Sequence, residues 1–273
     1  MKRFYFPLVY MFSTRYKTKL DKVSWLLQRM IPVFIIIFFQ LSLQSSDLLI
    51  YLFLYIISEM VFISLYEIGY IYNDAITIRN EESPTLRLND IQVSFFQKNF
   101  YKTASIKLSI SLLGTLIIIF IANQMEIQLY ISLFISTMVT MVIAFTLHNN
   151  IRNRFNIITF IFLVCSKFSY TIVLFIPVSQ LIYPLLIITL MFPLPRILEH
   201  MSKPKYKLIQ LSKVIGNHDL FRVKYFILLL TLVVIFKDLK DIDVNLMLVM
   251  FLYFFLYRLV SLLLVKLKIH QRQ

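Results

Sequence analysis

The sequence predicts an all-α fold, a polytopic membrane helical bundle of about eight transmembrane helices, or nine, arranged as two four-helix halves with both termini in the cytoplasm. Three observations predict it. Of 273 residues, 59% are hydrophobic and only 15% charged, against about 45–50% apolar in soluble domains. The apolar residues fall in blocks of about 20, the length at which a helix spans bilayer hydrocarbon. Lys and Arg gather in alternate connections between those blocks, as they do in loops retained in the cytoplasm. Membrane β-barrels are built from short alternating strands, so long unbroken apolar runs exclude them. The formal net charge of +14 is read as cytoplasmic loops facing anionic headgroups, with no nucleic-acid partner. Cys165, the single cysteine, forms neither an intrachain disulfide nor a multi-cysteine metal site.

Apolar blocks bounded by polar clusters give spans at 24–43, 48–71, 104–122, 127–147, 156–176, 181–196, 221–236 and 244–265. The sixth and seventh are short for a bilayer and are expected to be tilted, extended by their flanks or partly re-entrant. The chain 1–273 is expected to be one integral-membrane domain, with a basic cytoplasmic N-terminal arm over 1–23 and cytoplasmic functional loops over 72–103 and 197–220. That arm holds Lys2, Arg3, Arg15, Lys17, Lys19 and Lys22, and the loop after span six holds seven more cations from Arg196 to Lys224. The opposite side has Lys237 and Lys240, diluted by Asp238, Asp241 and Asp243. The N-terminus lacks the small-residue cleavage site of a signal peptide. The outer connections are short and the inner ones long, and long polar loops between tightly joined helices usually carry chemistry.

Span two carries Glu59 and Glu67 in apolar sequence and runs on into Asn73, Asp74 and Glu81. Steps of eight, seven and seven residues put Glu59, Glu67, Asp74 and Glu81 along one helical stripe. An ionisable group in hydrocarbon is costly and faces a bundle interior or wet cavity. Protonation, or pairing with intramembrane cations such as Arg29, Lys107, Lys167 or Arg258, is the plain expectation for the two glutamates.

At the inner end of this span stands Gly69-Tyr70-Ile71-Tyr72-Asn73-Asp74, followed by residues 75–87, which include Thr77, Glu81, Pro84 and Arg87. The stretch resembles the first aspartate-rich motif of the UbiA superfamily of intramembrane prenyltransferases, NDxxDxxxD followed by a proline and an arginine, which ends that family's second transmembrane helix on the cytoplasmic side. The overlay sets Asn73 and Asp74 on the opening pair, Thr77 on the middle aspartate and Glu81 on the last, with Arg87 near the following arginine. The resemblance implies Mg²⁺ held by oxygens of Asn73, Asp74 and Glu81 and bridging to donor phosphates. On that reading Asp74 and Glu81 are the catalytic residues. A helix cap at Asn73 and Asp74 with a loop break at Pro84 is the structural alternative.

The family's second motif follows its sixth helix, where this chain has Pro195-Arg196-Ile197-Leu198-Glu199-His200-Met201-Ser202-Lys203. Glu199 is a further candidate metal ligand and His200 a possible base, while Arg196 and Lys203 are placed to grip phosphate directly. Span four ends near Arg152 and Arg154, which either reach donor phosphates or anchor the loop. Lys167, mid-span, needs a carboxylate, cavity or phosphate partner. The expected substrate-binding residues are therefore Tyr70, Arg87, Arg152, Lys167, Arg196 and Lys203.

The resemblance implies an intramembrane transferase in a bacterial-type inner membrane or its equivalent, its active site facing the cytoplasm. The substrate would be a polyprenyl phosphate or diphosphate or a related lipid, and the donor would bear a diphosphate. The reaction would be prenyl transfer, or phosphoribosyl transfer to polyprenyl phosphate. A transporter or lipid flippase using the buried charges as a relay, or a catalytically inactive scaffold of the same architecture, are the alternatives.

Overall fold

A computed structural model describes residues 1–44, 46–80, 84–151, 153–236 and 244–267. Among these the secondary structure is helical, with no strand. Six helical segments are long and apolar enough to cross a membrane: Lys19–Gln40, Leu48–Ala75, Asp90–Gln124, Ile131–Asn150, Asn156–Phe175 and Val244–Lys266. A seventh crossing is available if the bent pair Ile182–Met191 and Pro193–Met201, angled at 43°, is one broken span. This is the makeup of an integral, polytopic helical membrane protein. The expected span 221–236 falls on a helix of 18 residues, His218–Ile235. Its first two turns carry Asp219, Arg222 and Lys224, and it is not among the six.

The chain forms two compact units, Met1–Ser179 and Gln180–Gln273. The first opens with a short helix α1 (Val9–Thr14) and then α2 (Lys19–Trp25), which is capped by a reciprocal Thr18–Asp21 box. A π turn, Leu26–Met30, joins α2 to α3 (Ile31–Gln40). Pro32 explains that turn: it has no N–H for the carbonyl four residues back, and its ring crowds that position. The Tyr55 hydroxyl donates to the carbonyl of Met30, the last residue of that turn, at 2.9 Å.

The longest contacts of this unit run along α4 (Leu48–Ala75) and α5 (Asp90–Gln124), and between α6 (Ile131–Asn150) and α7 (Asn156–Phe175). Helix α5 begins far earlier than its apolar block. Residues 90–103, expected within a loop, are helical because Asn89 and Gln92 form a capping box and because Phe96 is buried against Phe4, Tyr10, Ile71 and Leu88. Hydropathy misses such an extension, which is amphipathic rather than apolar. The same cluster takes in the basic N-terminal arm, in which Phe4, Tyr10 and Met11 are buried. The arm folds onto α4 and α5 because its aromatic side chains have no other apolar surface to cover.

Helices α4 and α6 approach at Gly69, where an added Cβ would overlap the Phe145 ring. Asn149 Nδ2 donates to the Gly69 carbonyl at 3.1 Å across the same crossing. Phe145 has little room to move, since its ring centroid lies 4.8 Å from Tyr66 and 5.4 Å from Tyr70. Gly69→Leu is therefore expected to destabilise the protein by about 1–3 kcal/mol through overpacking, outweighing the helix propensity gained. Thermal unfolding of the purified full chain checks this, and an unchanged midpoint would mean that the two helices do not meet there.

The second unit contains α8 (Ile182–Met191) and α9 (Pro193–Met201), broken at Phe192–Pro193 by the proline. It continues with α10 (Ile209–Ile215), α11 (His218–Ile235) and α12 (Val244–Lys266). Gly216, at φ +48°, ends α10 in a conformation that L side chains rarely adopt. Asn217 then caps α11 by accepting from the Asp219 and Leu220 amides. Helices α11 and α12 pack as the main pair of this unit.

Candidate functional site

Three carboxylates lie buried along α4, and each is met by a cation from elsewhere in the first unit. Glu59 receives the Tyr170 hydroxyl and stands 3.3 Å from Arg29, which itself donates to that hydroxyl at 2.8 Å. Arg29 lies in the π turn, its guanidinium carbon 4.9 Å from the Phe62 ring centroid, and Phe62 stacks on Tyr170 at 4.0 Å. Two turns on, Glu67 bonds Lys107 of α5 at 2.6 Å and accepts from the Met11 amide at 2.8 Å. Of the cations expected to pair with the glutamates, Arg29 and Lys107 do so. Lys167 instead holds its ammonium 4.8 Å from the Tyr66 ring centroid.

Asp74, in the last turn of α4, is the most heavily engaged. Its side chain is wholly buried, and it sits where the negative end of the helix dipole opposes a second negative charge. Arg15 offsets both, its Nη2 reaching Oδ2 at 2.8 Å and Oδ1 at 3.0 Å. Tyr10 donates to Oδ2 at 2.8 Å, Asn73 to Oδ1 at 3.2 Å, and Arg87 stands 3.5 Å from Oδ1. Thr77, at the place of the family's middle aspartate, is buried and bonds Asn73 Oδ1 at 3.2 Å.

Arg15 also lies flat on Tyr70, with its guanidinium carbon 3.5 Å from the ring centroid, a contact worth about 0.5–2 kcal/mol. Burial draws the Arg15 guanidinium down, but Tyr70, Asp74 and Tyr10 outweigh it and the net shift is upward. Burial, and after it Asp74, raises the Tyr10 phenol far above its ordinary range, which keeps it a proton donor to the carboxylate. The Arg15 Nε is buried with no hydrogen-bond partner among the described residues. Arg15 and Arg87 keep side-chain exposures of 16% and 30%, so the cationic side of the cluster is open to a ligand while Asp74 is not.

Of the residues singled out from sequence, Tyr70, Asn73, Asp74 and Arg87 come together here, and Lys167 approaches through Tyr66, whose ring meets Tyr70 edge-on at 4.8 Å. Glu81 and Arg152 lie outside the described residues. Sequence reasoning missed Tyr10 and Arg15. The signal for them was the aromatic run Phe4-Tyr5-Phe6 with Tyr10 and Phe12, too apolar for a solvated arm.

Arg196, Glu199 and Lys203 belong to the second unit. Glu199 is buried on α9 and forms a two-point pair with Arg222 of α11, Oε1 to Nε at 2.5 Å and Oε2 to Nη2 at 2.6 Å. Arg196 and Lys203 are exposed. His200 is paired with the Tyr206 hydroxyl at 2.6 Å, and burial pushes that phenol up to about 12.

The described residues do not fit a magnesium ion. No three His, Cys, Asp or Glu side chains among them gather to hold a metal. Both oxygens of Asp74 already accept from Arg15, and a dication brought to about 2.1 Å from them would face two guanidinium charges. Both oxygens of Glu199 are taken by Arg222. No family model, no curated protein and no solved structure matches the chain.

Proposed function

We propose that the chain is a UbiA-like intramembrane transferase acting on a polyprenyl or related lipid with a diphosphate-bearing donor, its phosphates held by arginines at the end of α4. One observation carries the reading. Two arginines from distant segments, Arg15 and Arg87, converge on Asp74 within the stretch that resembles the family's first motif, and Arg15 keeps an unpartnered buried Nε. Arginine's planar fork matches phosphate oxygens at two points and stays charged in a buried setting. The positive-inside count supports a cytoplasmic position for this end of the helix, in a bacterial-type inner membrane or its equivalent.

In prenyl transfer the allylic C–O bond breaks and its electron pair leaves on the diphosphate, while the acceptor's nucleophilic atom bonds the same carbon and gives up a proton. Arg15 and Arg87 are the groups here that neutralise charge on a departing diphosphate. Asp74 and Tyr10 orient them. Tyr66, Tyr70 and Phe145 offer aromatic faces to an apolar chain beside the arginines. A proton or substrate relay fits less well, because Glu59, Glu67 and Asp74 are each closed by a cation.

The test is binding of radiolabelled polyprenyl diphosphate, polyprenyl phosphate and phosphoribosyl diphosphate to the full chain in nanodiscs, followed by product formation with candidate acceptors. Arg87→Gln is expected to weaken binding of the donor at least tenfold while leaving thermal stability nearly unchanged, since this pair is long and partly solvated. Binding without any product would favour the inactive scaffold. Absence of binding by all three ligands to folded protein would sink the transferase.

A further inference from the structure

The second unit holds a buried cation, Arg258. Arg258, on α12, is 7% exposed in a largely apolar helix. Its Nε is buried with no hydrogen-bond partner, and among the described residues no carboxylate lies in ion-pair range of its guanidinium. The Tyr257 ring lies 5.3 Å from the guanidinium carbon. A charge in this setting costs several kcal/mol unless a counter-charge meets it.

Packing of the unit determines what surrounds it. Helices α11 and α12 form an antiparallel hairpin in which Phe226 stacks on Phe254, ring centroids 5.5 Å apart. One turn back along α11 is Arg222, and one turn on along α12 is Arg258, so the register brings the two guanidiniums to one level. Phe192, at the start of α9, packs on the same Phe254 at 4.8 Å, and α9 then carries Arg196 and Glu199 toward that level. Arg222, Arg196 and Glu199 are accordingly the charged groups that act on Arg258.

The charges do not balance. Glu199 is held at two points by Arg222, and Asp219 stands 3.7 Å from the same arginine. Among the described residues both carboxylates stand in ion-pair range of Arg222, and neither in that of Arg258. We propose that Arg258, with Arg222 and Arg196, forms a binding site for a phosphate group in the second unit, whether or not the chain is a transferase. The guanidiniums of Arg258 and Arg196, beside the Arg222 that Glu199 already holds, leave positive charge in excess and suit a tetrahedral oxyanion, which accepts on several edges at once. Such a group is carried by a lipid headgroup or arrives free as phosphate or diphosphate.

The test uses the full chain in a maltoside detergent, which contains no phosphate. One arm titrates inorganic phosphate and diphosphate; the other adds phosphatidic acid in mixed micelles. Thermal midpoint and native mass spectrometry are the readouts. The native chain and Arg258→Lys are expected to gain stability with at least one source, and whichever source acts at the lower concentration is the one the site takes. Arg258→Gln is expected to need at least tenfold more ligand. Where Arg258→Gln does not fold, Arg196→Gln, altered at an exposed position, is expected to need at least threefold more. Equal responses of native and variant chains to both sources overturn the site. So does a response lost in Arg87→Gln but kept in Arg258→Gln, which would put the phosphate at Asp74.

Discussion

Lys107→Met is expected to be the most damaging single substitution in the first unit, lowering stability by about 3–5 kcal/mol. Lys107 is fully buried on α5, and its ammonium lies 2.6 Å from Glu67 and 3.3 Å from the Phe6 carbonyl. Methionine fills the stem but removes the charge, leaving Glu67 buried with neutral backbone amides for partners, that of Met11 at 2.8 Å. The loss therefore falls on the carboxylate rather than on packing. Restoring neutrality should undo most of it: Glu67→Gln combined with Lys107→Met keeps an acceptor for Met11 and strands no charge. Thermal unfolding of the two variants and of Lys98→Met, at an exposed position of the same helix, decides the matter. If Lys107→Met costs no more than Lys98→Met, the pair does not hold α4, α5 and the N-terminal arm together.

The ladder of pairs on α4 shows where sequence reading succeeds and where it stops. Glu59 and Glu67 announced themselves because a carboxylate in hydrocarbon needs a partner, and the short set of intramembrane cations contained both that are used, Arg29 and Lys107. Which cation meets which glutamate depends on helix packing and could not be read from spacing. The spans of α4, α6, α7 and α12 are legible because their apolar runs are long and sharply bounded. The amphipathic first turns of α5 are not, because Phe96 alternates with polar residues that hydropathy averages away. The same averaging hid Arg15 and Arg222. Each was counted as a loop charge, yet Arg15 turns inward to Asp74 and Arg222 to Glu199. A count of basic residues weighs charge by place in the chain and carries nothing about direction.

For Asp74→Asn the transferase reading gives an outcome opposite in sign to that of a metal-held site. If Mg²⁺ on Asp74 held the donor, the amide would abolish binding, and a chelator would do the same to the native chain. With arginines as the phosphate ligands, removing the carboxylate leaves Arg15 and Arg87 with more positive charge to offer, so lipid diphosphate binding is expected to be kept or tightened, with or without chelator. Turnover is expected to fall about 100-fold or more, because Asp74 fixes where those guanidiniums point and a displacement of about 1 Å is enough for such a loss. The fold should survive. An amide at this position still accepts from the Tyr10 hydroxyl, and Arg15 and Arg87, partly exposed, can take up water, which limits the cost to about 1–3 kcal/mol. Lys205→Ala, at an exposed position of the second unit, should change neither binding nor turnover. Donor binding lost in Asp74→Asn and in native chain treated with chelator would return magnesium to the site and remove the arginines from their proposed role.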